Sequence, residues 1–131
     1  MSRLLSQEEV AAAMRDDALE RILLNLSVVM QEPANFEHFA ALLVRTLDSR
    51  GWTFDEASLS WVTKPPEFEA SPNLAQRITA LALGGDSRSR EVLASTTEVI
   101  DDDERTALML TTLYERGYGV TSEFQVVERP H

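Results

Sequence analysis

One fourteen-residue stretch occurs twice in this chain, and that duplication constrains the fold more than any other feature. Ala41-Leu42-Leu43-Val44-Arg45-Thr46-Leu47-Asp48-Ser49-Arg50-Gly51-Trp52-Thr53-Phe54 aligns at an offset of 66 with Ala107 to Val120, with six identical pairs and four further apolar or aromatic swaps. Each copy reads as the end of an amphipathic helix followed by Arg-Gly, an aromatic residue and an apolar residue two positions later. Glycine supplies the left-handed conformation that closes a helix, so Trp52 and Tyr118 are expected to fold back on the last turn. Phe54 and Val120 are expected in the core, and Asp55 and Thr121 offer N-caps for following helices. The chain therefore reads as two quasi-repeated halves, 1–63 and 72–131, in one compact domain. The stretch 64–71, with Pro65 and Pro66, reads as a semi-rigid connector between them.

The remaining punctuation is helical. Ser6 and Glu9 have capping-box spacing, which predicts a helix from Gln7. Leu19, Ile22, Leu23, Leu26, Val29 and Met30 repeat at three and four and line one helical face. Leu24 and Val28 widen that stripe, predicting a central helix contacted on more than one side. Pro33 ends it, and Asn35 is read as the N-cap of a third helix carrying Phe36, Phe39, Ala40, Leu43 and Leu47. Residues 55–62 fit a short helix capped by Asp55 better than an extended stretch. Further helices follow from about Pro72 to the Gly84-Gly85 stop, from Asp86 through Val92 and Leu93, and from about Asp103 to Arg116. The expected fold class is all-α: six or seven short helices with a short extended tail over 121–131.

The strings Gly51-Trp52-Thr53-Phe54-Asp55-Glu56 and Gly117-Tyr118-Gly119-Val120-Thr121-Ser122-Glu123 carry a glycine–aromatic–x–apolar–Ser/Thr pattern. This pattern resembles a small helical domain family found in nitrogen-fixation-associated proteins and in leader peptides of ribosomally made, modified peptides. The resemblance covers about 40 residues of each half and implies a recognition role, in which the helical domain is bound by a peptide-modifying enzyme. The chain departs from a leader in having no Cys-rich core segment, and Gly84-Gly85 reads more simply as a helix stop than as a processing site.

Composition narrows the chemistry. Without cysteine there are no disulfides, thiolate nucleophiles or Cys metal sites. A net charge of −10 disfavours direct nucleic-acid binding and docking on anionic lipid. That charge is spread along the chain, with 10 acidic against 6 basic residues in 1–65 and 12 against 6 in 66–131. No apolar run approaches the ~20 residues that span a bilayer, and the N-terminus does not read as a signal peptide, so cytoplasm is the default compartment.

Two clusters are candidate sites. Asp101, Asp102, Asp103 and Glu104 form the densest carboxylate group; they lack calcium-loop spacing and read as a cap on the positive end of the last helix, on a surface open to a partner. Trp52, Trp61, Phe68 and Tyr118 flank the helix stops and the connector, where aromatic residues can anchor an interface. His38 has no second internal imidazole for a metal site, and no glycine-flanked serine, phosphate loop or dinucleotide fingerprint occurs. Neither a catalytic residue nor a metal or cofactor is assigned. The leading expectation is a small acidic protein-binding module: an adaptor, accessory factor or inhibitor for a partner with a basic surface, with self-association into a homodimer allowed. A leader-like recognition domain is the second reading, and an enzyme or ligand-binding domain with a pocket between the halves the third.

Overall fold

The computed structural model describes residues 3–13, 19–67 and 72–129. Its elements run β1 (Leu4–Leu5), α1 (Gln7–Ala13), α2 (Leu19–Met30), α3 (Pro33–Ser49), β2 (Trp52–Asp55), β3 (Ser60–Thr63), α4 (Leu74–Ala82), α5 (Ser87–Val99), α6 (Asp102–Glu115), β4 (Tyr118–Thr121) and β5 (Val126–Glu128). Helices dominate, but two antiparallel sheets, β2-β3 and β1-β4-β5, make the chain something other than all-α. Phe68 lies outside the described residues.

Helix α3 is the hub and packs on α2, α4, α6 and β2. Its buried stripe is the one its periodicity predicts: Phe36, Phe39, Ala40, Leu43 and Leu47. Its start differs from the expected one. Glu32, in an extended conformation, is the N-cap, and Pro33 occupies the first turn, where a missing N–H costs nothing. Asn35 therefore sits inside the helix, fully buried, and its side chain serves other elements instead of capping. α4 begins at Leu74 with Asn73 as N-cap, so Pro72 precedes its first turn, while the caps of α1, α5 and α6 follow the sequence. Ser6 Oγ accepts from Glu9 N–H at 3.2 Å, while Glu9 Oε1 accepts from Ser6 N–H at 3.3 Å. Asp86 Oδ1 accepts from Ser89 N–H at 3.1 Å, and Asp101 Oδ1 from Glu104 N–H at 2.8 Å.

Where a helix over 55–62 was expected, β2 and β3 form a hairpin in which Trp52 faces Thr63 and Phe54 faces Trp61. The misreading has a physical cause. Asp55 Oδ1 accepts from Ala57 N–H at 3.3 Å and its Oδ2 from Ser58 Oγ at 2.8 Å, and a carboxylate serving the next backbone donors can start a turn as readily as a helix. These hydrogen bonds, Ser58's first and Ala57's second, hold the Asp55 carboxyl below its ordinary range. Leu59 closes the turn at φ +55°. β-branched and aromatic residues on both sides then favour pairing.

The tail, whose alternation fits a short strand or an extended arm, forms a strand over Val126–Glu128. β5 pairs with β4, and β1 adds to the other edge of β4, with Leu4 opposite Thr121 and Leu5 opposite Val120. The two Arg-Gly corners are built from the same bonds. Gly51 N–H donates to Asp48 O at 3.0 Å and Gly117 N–H to Tyr114 O at 3.2 Å. Each glycine's carbonyl accepts from the returning strand at 2.8 Å, from Lys64 N–H and from Arg129 N–H. Both glycines have positive φ, +86° and +93°. Phe54 and Val120 are buried as expected. Trp52 and Tyr118 each open a strand.

Candidate interaction groove

Helix α2 packs on α3 and α6, whereas α5 packs on α4 and β3, and a gap remains between α2 and α5. An opening of about 320 Å³ occupies it. Ser27 and Met30 of α2, with Gln31 just after it, form one wall, Leu93 and Thr96 the α5 wall, and Phe36, Phe39 and Met109 the floor, with Leu83 and Arg105 completing the lining. Residues from both halves of the chain thus share one apolar depression. Phe36 and Phe39 meet edge to face, their centroids 5.7 Å apart, which stiffens the floor.

The polar lining is turned to local use. Ser27 Oγ donates to Leu23 O and Thr96 Oγ1 to Leu93 O, both at 2.7 Å, so both hydroxyl protons go back to their own helices. Arg105 Nη2 donates to Asp102 Oδ1 at 2.8 Å. What is offered to an occupant is mainly hydrocarbon and aromatic surface.

The three most exposed large apolar side chains among the described residues are Leu24 and Val28, which neighbour Ser27 on α2 without lining the opening, and Leu93, which lines it. Leu24 is 66% and Val28 62% exposed, and Leu93 on the opposite wall is 44% exposed. The widened stripe of α2 was expected to mean contacts on more than one side. Leu24 and Val28 instead lie on the solvent face, about one turn apart, in a row with Ser27 and Gln31.

The residues singled out from the sequence scatter. Trp61 is 6% exposed and packs edge to face on Phe54 at 5.3 Å; it is a core residue and not a surface anchor. Trp52 is 36% exposed at the start of β2, away from the groove lining. Tyr118 is half-buried and its hydroxyl donates to Glu32 Oε2 at 3.3 Å. Asp101 caps α6, Asp102 pairs with Arg105, Glu104 pairs with Arg50, and Asp103 is exposed. Among the described residues no three His, Asp or Glu side chains converge as a metal site.

A second, shallower opening of about 340 Å³ is lined by Ala34, Glu37, His38, Ala41 and Arg116. There His38 Nε2 pairs with Glu115, and Arg116 Nε donates to Asn35 Oδ1 at 3.1 Å. Two of its three polar lining side chains, His38 and Arg116, are thus held by neighbouring residues.

The groove itself was missed from sequence because Phe36, Phe39 and Met109 read as ordinary core. The one available signal was the excess of apolar residues on α2 beyond what a single buried face needs. No protein-family model, curated protein or solved structure matches this chain.

Proposed function

We propose that this chain is an acidic contact protein that binds a partner through the α2–α5 groove. The observation that carries this reading is the open apolar depression floored by Phe36, Phe39 and Met109 and walled by Leu93, which is itself 44% exposed. Aromatic and aliphatic floors of this kind accept an anchor side chain at protein interfaces. Converging acid, base and nucleophile groups are not what lines the groove, which supports binding over catalysis. The net charge of −10 would speed encounter with a basic partner and make association salt-dependent.

The test is affinity capture from a lysate of the source cells, with wild type, Val28→Asn and Leu93→Asn as bait at low and high salt. A specific protein held by wild type, reduced by both substitutions and released by salt is the expected result. A protein held equally by all three baits, or indifferent to salt, would contradict it.

A further inference from the structure

We infer that the occupant of the α2–α5 groove is an amphipathic helix of a partner protein with a cationic outer face; this rests on the contact reading above. Three observations lead there. First, both walls are helices whose backbone groups bond within themselves, so neither offers a free strand edge. An extended peptide laid between them would leave its own N–H and C=O groups unpaired, whereas a helix brings its backbone already satisfied. Second, about 320 Å³ is too small for a whole helix but suits one or two large apolar side chains projecting from it. The remainder of its apolar face would cover Leu93 on the α5 wall and extend along α2 toward Leu24, which stands one turn before the lining residue Ser27.

Third, charge selects the partner. Next to Arg105 at the start of α6, Asp101, Asp102 and Asp103 are all exposed, and the two arginines beside them are already paired, Arg105 with Asp102 and Arg50 with Glu104. A basic residue one turn from the anchor would meet carboxylates there. The same charge argues against a second copy of this chain as occupant, because two molecules of −10 repel on approach.

The test uses the full-length chain and three fluorescein-labelled 16-residue peptides, read by anisotropy. One carries Leu at helical period with Lys elsewhere, one has the same composition in strict Leu/Lys alternation, and one replaces each Lys of the first by Glu. The helical cationic peptide is expected to bind at least tenfold more tightly than either control. Leu24→Asn and Leu93→Asn, which add no charge and sit at exposed positions, should each weaken it at least tenfold while leaving circular dichroism unchanged.

Equal binding of the alternating peptide, with the same loss in both variants, would overturn the helical occupant and leave the contact reading standing. Binding unaffected by either variant would overturn the groove as its seat. Wild-type self-association in sedimentation that Leu93→Asn abolishes would assign the groove to a second copy instead. Failure of the contact reading shows up separately, as native partner capture that ignores Val28→Asn and Leu93→Asn.

Discussion

Arg116 Nε donates to the Oδ1 of Asn35, a residue 81 positions earlier in the chain and fully buried in the first turn of α3. The other end of that amide donates from Nδ2 to Val29 O at 3.2 Å, so a single side chain joins the last turn of α2, the start of α3 and the corner after α6. Replacing Asn35 by Ala leaves a buried carbonyl without its donor and opens a small void. The expected cost is about 2–3 kcal/mol in denaturant unfolding. Arg116→Ala, at an exposed guanidinium, should cost less than about 1 kcal/mol. Similar losses for the two would show that the bond itself, and not the burial of Asn35, is what matters.

The two corner glycines should behave alike under substitution. At Gly51 and Gly117 a Cβ would meet nothing within 4 Å, so the penalty is purely the backbone's, at φ +86° and +93°. Gly51→Ala and Gly117→Ala are each expected to lower stability by about 1–2 kcal/mol. Asn at either position should restore part of it. Gly119 is a different case, because a Cβ there would stand 3.0 Å from Arg129 Cγ and 3.3 Å from Leu4. Thermal melts of the three alanine variants separate strain at a corner from crowding within the sheet.

Thr53 Oγ1 and Trp61 Nε1 are buried without a hydrogen-bond partner, both in the β2-β3 hairpin. Thr53→Val keeps the shape and removes the unmet group, and β-branched residues suit a strand. This variant is expected to gain about 0.5–1 kcal/mol in chemical denaturation. A loss of stability would mean that the hydroxyl is satisfied after all.

Tyr114 predicts a response to alkali. Its hydroxyl donates to Leu5 O at 2.6 Å, and burial raises its pKa, with the Arg129 charge opposing. A raised folded-state pKa means the neutral phenol is the form that folding favours. The resulting stability is complete below the unfolded value of about 10 and is lost as pH climbs through the higher folded value. Melting temperature between pH 9 and 12 should therefore fall more steeply for wild type than for Tyr114→Phe. Parallel curves would remove Tyr114 from the account.

What was legible in the sequence was what local chemistry decides. The Ser6, Asp86 and Asp101 caps, the buried stripe of α3 and the glycine corners all depend on residues within one turn of each other. Asp55 and Asn35 were misread because a short polar side chain does the same thing at a cap, in a turn or inside a polar cluster, and only its distant neighbours decide which. Leu24 and Val28 show the same limit at the site. Periodicity identifies an apolar face on α2, but whether every part of that face meets protein or water depends on which distant elements come to rest against it.

Strand β1 has a consequence for the order of assembly. Leu4 and Leu5 pair with Thr121 and Val120, more than a hundred residues downstream, while β2 and β3 are neighbours in the chain. During synthesis the first hairpin can close against α3 as soon as both leave the ribosome. The three-stranded sheet has to wait, and Leu4 and Leu5 travel uncovered until β4 emerges. Closing so long a loop is entropically costly and slow compared with a local turn. This sheet is thus expected to be the last unit to form and the first to open, which amide exchange at Leu5 and Val120 would register ahead of the α3 core.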